Sequence, residues 1–110
     1  MIRANKAGTT GSSFTIVDKT TNNSGQNFPS LTATQDADGF MLVASGTQTG
    51  TNAMALNGED VTFDVNSNPQ TGAQVCAYFG SIKSGDIITF SPQTSGWNYS
   101  TCNIMTIKFE

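Results

Sequence analysis

Residues 73–110 read AQVCAYFGSIKSGDIITFSPQTSGWNYSTCNIMTIKFE, three apolar-patterned runs set around a Lys83-Ser84-Gly85-Asp86 turn and a Gly96-Trp97 corner. Short alternating runs broken by glycine-bearing turns are the grammar of a β-sandwich, here one that closes on a buried strand. In the last run, Asn103, Met105, Ile107 and Phe109 fall on one side and Cys102, Ile104, Thr106 and Lys108 on the other, because strand side chains alternate faces. The chain is therefore expected to end inside a core element, with Phe109 buried.

The rest of the chain follows the same grammar. Val75, Ala77 and Phe79 alternate with Cys76 and Tyr78, and residues 87–90 follow the 83–86 turn as another strand. Asn57-Gly58 lies between residues 53–56 and the alternating Val61, Phe63 and Val65, a strong short-range hairpin signal. Residues 40–45 form a strand of near-continuous apolar character, and the Asp38-Gly39 pair just before it suits the positive φ angles of a tight reversal. Residues 31–34 and 14–17 supply two further short strands, with residues 18–30 read as a long Thr-, Asn- and Gly-rich loop. Residues 1–12 carry no periodic signal and read as an arm or linker ahead of a single β-sandwich domain over residues 13–110. The expectation is an all-β, antiparallel sandwich of about eight strands, jelly-roll-like and without significant helix.

Composition narrows the functional classes. With 110 residues the chain has room for one domain. Only 12% of residues are charged and the net charge is −3, so Ser, Thr, Asn, Gln and Gly carry the polarity. Five scattered basic residues cannot neutralise a run of phosphates, so no nucleic-acid partner is expected. Weak charge repulsion leaves broad faces free to self-associate, which points to a homo-oligomer. No apolar run approaches the ~20 residues of a membrane span, and the N-terminus lacks the apolar core of a secretory signal, so membrane insertion is not expected. Cys76 and Cys102 each sit in an apolar strand pattern and read as buried structural thiols, with a disulfide as the alternative.

Catalytic chemistry finds few footholds. The chain has no histidine, which removes the commonest general base and transition-metal ligand. Two cysteines cannot close a four-thiolate zinc site, and Glu59, Asp60, Asp64 and Asp86 sit at turns that recruit acids for backbone hydrogen bonding. No enzyme, metal or cofactor is expected. A ligand site is conceivable around Trp97, Asn98, Tyr99 and Gln93, where aromatic rings could stack on a sugar while amides bond its hydroxyls. Trp97 could equally pack under a loop or across a subunit interface.

Four phrases carry a resemblance: residues 31–46, LTATQDADGFMLVASG; 54–63, MALNGEDVTF; 81–91, SIKSGDIITFS; and 95–109, SGWNYSTCNIMTIKF. Together they resemble the C-terminal β-sandwich heads of bacteriophage tail fibres and other virion fibre tips. The Lys-x-Gly-Asp turn is shared with many jelly rolls, including trimeric heads of the complement and tumour-necrosis-factor type. The resemblance implies a non-enzymatic homotrimer on the phage particle. Aromatic and aliphatic residues of one sheet would pack around a threefold axis, with loops displayed towards a host surface glycan or the particle itself. It transfers no catalytic residues. Fibre proteins usually carry a long shaft ahead of the head, whereas about 27 residues precede the matching region here. The expectation is thus either a piece of a longer fibre or a short virion component whose residues 1–12 dock on another virion protein. The alternative is a monomeric carbohydrate-binding sandwich.

Overall fold

The computed structural model describes residues 13–22, 30–47, 53–67, 71–90 and 98–109. Among them run nine strands and no helix: β1 Phe14–Asn22, β2 Ser30–Thr32, β3 Ala37–Thr47, β4 Met54–Leu56, β5 Glu59–Asp60, β6 Val65–Ser67, β7 Thr71–Ile82, β8 Ile87–Phe90 and β9 Asn98–Phe109. They form two antiparallel sheets with strand orders β1-β9-β3-β7-β6 and β2-β8-β4-β5. Leaving aside the short β6, the first strand pairs the last, the last pairs β3, and β3 pairs β7, while β2, β8, β4 and β5 form the facing sheet. This is the double Greek-key order of a jelly roll.

The sandwich interior follows from alternation along three long strands. Phe40, Leu42 and Ala44 of β3, Cys76 of β7, and Cys102 and Ile104 of β9 face Leu31, Met54, Ile88 and Phe90 of the opposite sheet, with Ala33, Ala37 and Ile82 closing one end. Phe40, Leu42, Met54, Ile88 and Ile104 are fully buried, and burying each such side chain is worth about 1.5–3 kcal/mol. Phe40 and Tyr78 rings lie 5.2 Å apart between centroids, so Tyr78 extends this core towards the rim.

Three local expectations change. Asp38-Gly39 is no turn: it lies inside β3, where the register of β3 against β7 shifts between Ala37 and Gly39. Gly39 does not have a positive φ. It is needed for close approach, because a Cβ there would collide with the Tyr78 carbonyl oxygen. The first strand runs on to Asn22 through a second bulge between Ile16 and Asp18, so residues 18–22 of the expected loop are ladder. After the Asn57-Gly58 turn the returning strand holds only Glu59 and Asp60, and Val61 to Phe63 leave the sheet. The turn itself has the expected left-handed pair, φ 53° at Asn57 and 86° at Gly58.

Leu42→Ala should cost about 2–5 kcal/mol of stability in urea unfolding, the range for a fully buried side chain. A loss below about 1 kcal/mol would place Leu42 outside the packed interior.

Candidate functional site

The side of the five-stranded sheet that faces away from the sandwich is itself apolar. On β9, Met105, Ile107 and Phe109 point outward, opposite Ile104 and Cys102. Cross-strand partners share a face, so the register extends this surface to Phe14 and Ile16 of β1, Met41 and Val43 of β3, Val75, Ala77 and Phe79 of β7, and Val65 of β6. Met41, Ala77, Met105 and Ile107 are buried there, packed under the partly buried Phe14, Val43, Val75, Phe79 and Phe109. Phe79 and Phe109 meet edge to face at 5.3 Å, across Gly39, which offers no side chain between them. Phe109 thus belongs to this outer surface and is only partly buried, against the expectation of a core position.

The margins of the surface are the most exposed part of it. Ile16 on β1 is 46% exposed and Val65 on β6 is 40% exposed, and these strands are the two edges of the sheet. Lys19, paired with Met105, is the one charged residue among the described positions of this face. The outer side of the four-stranded sheet differs: Ser30, Thr32, Thr89, Ala55 and Asp60 occupy it, with Ile87 as its large apolar residue. An antiparallel sheet commonly keeps one face on the core and one in water. The four-stranded sheet obeys that pattern and the five-stranded sheet does not.

Of the residues expected to bind a ligand, Gln93 and Trp97 lie outside the described residues. Asn98 and Tyr99 are described in backbone only, opening β9 opposite Thr47 and Gly46. The apolar face went unassigned in the sequence because it is assembled from five strands. Its signal was the unbroken apolar run 40–44, which fits a strand buried on both sides.

The aspartates serve the backbone. Asp18 accepts hydrogen bonds from Thr34 N and Oγ1, Asp36 from Ser84 N, Asp38 from Phe109 N, Asp64 from Phe79 N, and Asp86 from Lys83 N and Asn57 Nδ2. Asn57 also accepts from Ile87 N through its side chain, so the β4–β5 turn is strapped to the start of β8. Lys83 and Asp36 form an exposed ion pair at 3.8 Å, worth little by itself. The Glu59 and Asp60 side chains make neither hydrogen bond nor ion pair among the described residues. No group of three or more His, Cys, Asp and Glu able to hold a metal ion occurs among the described residues.

Neither cysteine is in a disulfide, and both are fully buried. Cys76 pairs with Leu42 and Cys102 with Ala44 on opposite sides of β3, two strand spacings apart and offset by two residues along them, hence more than roughly 9.5 Å apart. That exceeds the reach of a disulfide, about 7 Å between Cα atoms. Burial pushes the Cys102 thiol up to about 11, which makes it inert.

No known protein-family model and no curated protein sequence matches the chain.

Two solution measurements check these assignments. Hydrogen bonds from Asn57 and then from Lys83 N hold the Asp86 carboxyl below its ordinary value. A depressed acid contributes stability above its unfolded value of about 4, lost as pH falls through the lowered one. Asp86→Asn should therefore lower stability at neutral pH, change it little in strong acid, and so flatten the acid limb of the stability profile. Secondly, Cys76 and Cys102 should stay silent to a thiol-specific reagent at about pH 8.5, where a free thiol is half ionised, and react together on unfolding; rapid labelling of the native protein would contradict their burial.

Proposed function

We propose that this chain is a non-enzymatic structural protein of a bacteriophage virion, a fibre-head or capsid-decorating sandwich that assembles as a homotrimer. The observation that carries the reading is the apolar outer face of the β1-β9-β3-β7-β6 sheet, set against the polar outer face of the other sheet. A contiguous, almost uncharged apolar surface marks an interaction site, and one without opposed charges can meet a second copy of itself without repulsion. Its exposed members sit at both edges, Ile16 on β1 and Val65 on β6. A ring of copies brings unlike edges of neighbours together, so apolar residues at both edges suit a cyclic arrangement better than a centred twofold one. The jelly-roll strand order supports the resemblance to fibre heads at the level of architecture.

In this reading residues 1–12 engage another virion protein and the loops at the sandwich ends are available to a host surface. Light scattering over a dilution series tests it directly. A stable mass near three times 11.6 kDa is expected. Replacing Ile16 and Val65 together by Lys should reduce the mass to that of the monomer with little loss of fold, since both side chains are already substantially exposed in the single chain. A clean monomer for the unmodified protein would overturn the trimeric reading and turn attention to a monomeric glycan-binding sandwich centred on Trp97.

A further inference from the structure

Asn57-Gly58 is the only Asn-Gly step in the chain, and it makes the two-residue turn between β4 and β5. An asparagine side chain can be attacked by the backbone nitrogen of the next residue, and a following glycine, lacking a Cβ, shields that nitrogen least. Here the backbone and the side chain of Asn57 are fixed together. Asn57 N donates to Ile87 O at 2.8 Å, Oδ1 accepts from Ile87 N at 2.8 Å, and Nδ2 donates to Asp86 Oδ1 at 3.0 Å. The backbone takes the left-handed pair, φ 53° at Asn57 and 86° at Gly58. The turn is otherwise open: both residues are exposed, and a Cβ on Gly58 would meet no atom within 4 Å.

Ring closure requires the Gly58 nitrogen to reach Cγ of Asn57 in an aligned geometry, which turns the peptide between them and the side chain together. The three hydrogen bonds to residues 86 and 87 oppose that movement. The Asp86 carboxyl, kept below its ordinary value by Asn57 and then by Lys83 N, is ionised and only accepts hydrogen bonds, so it cannot protonate a departing nitrogen. We propose that Asn57 is a latent deamidation site, silenced by its bonds to β8 while the turn is closed and reactive once the turn opens. In the open turn, solvent base removes the Gly58 amide proton, the nitrogen bonds to Cγ, and the Cγ–Nδ2 bond breaks with loss of ammonia, which takes its proton from water. Water then opens the succinimide to aspartate or isoaspartate. The net change consumes water and releases ammonia, with no oxidation or reduction. Either product disfavours a return to the closed turn. A carboxylate at residue 57 faces Asp86 where an amide donor stood, and like charges so close disfavour each other. Isoaspartate also lengthens the backbone of a two-residue turn by a carbon atom. The strap between the β4–β5 turn and β8 thus works in one direction, and a reacted chain records that its turn has opened. The device is separate from the outer sheet face, so it stands whether or not the protein is a trimer.

Ageing the full chain in mildly alkaline buffer tests the proposal, with aspartate and isoaspartate at residue 57 followed by peptide mass and isoaspartate content. The folded protein should react about tenfold or more slowly than the same chain in urea, since a hydrogen bond to a charged acceptor must open first. Asp86→Ala should bring the folded rate towards the unfolded one, and Asp86→Asn, which keeps an oxygen acceptor without the charge, should fall between. Asp36→Ala is the control: it cuts a different tie of the 83–86 turn, to Ser84 N, and should leave the rate near that of the unaltered protein. Asn57→Asp, which installs the product's carboxylate, should lower the urea midpoint. Equal rates in the folded and unfolded chains, no acceleration in either Asp86 variant, acceleration by Asp36→Ala as large as by Asp86→Ala, or an unchanged midpoint for Asn57→Asp would each overturn it.

Discussion

Everything in this sandwich hangs on β3 being apolar on both of its faces while hydrogen-bonded along both of its edges. Residues 40–44 alternate between the sandwich interior, through Phe40, Leu42 and Ala44, and the outer surface, through Met41 and Val43. The same strand pairs β7 on one side and β9 on the other over nearly its whole length. A strand so placed cannot present a polar side to water, and its neighbours inherit the constraint. Met105 and Ile107 of β9 and Val75 and Ala77 of β7 are apolar at the positions that flank it. The outer cluster is thus a consequence of the central strand, and the self-association proposed for that face is its natural relief.

The second organising force is the use of carboxylates as backbone partners in a chain that has few charges to spend on ion pairs. Asp18 ties β1 to the segment after β2, Asp36 and Asp86 tie the turn before β8 to its surroundings, and Asp38 and Asp64 cap amides of β9 and β7. Hydrogen bonds to ionised acceptors are stronger than neutral ones, so a handful suffices where loops would otherwise leave amides unmet. Two bulges belong to the same economy of edges. At the one in β1, Asp18 N donates to Thr106 Oγ1 at 3.0 Å, which gives the buried threonine a partner and redirects the strand without breaking its ladder.

The sequence made the sandwich legible through alternation in 75–79, 87–90 and 101–109 and through Asn57-Gly58, whose left-handed backbone is what that dipeptide favours. It misled at Asp38-Gly39, because a glycine needed for close packing and one needed for a positive φ look alike in a string of letters. It also underrated residues 18–22. Their Thr and Asn content resembles a loop, yet pairing with residues 102–106 supplies the order that local propensity does not. The apolar face was readable strand by strand but not as a surface, since knowing which of two apolar sides looks outward requires the strand order. The glycan site expected around Trp97 and Gln93 falls outside the described residues.

The pairing of β1 with β9, Phe14 opposite Phe109, also governs how this protein is made. Contacts between segments so far apart in sequence carry a large loop-closure cost and form late. On the ribosome, β1 waits without its partner until residues 98–109 emerge, and β3 lacks one of its two neighbours until then. While the residues between them are being made, the nascent chain carries its central apolar strand half-paired, the interval in which protection from aggregation matters most.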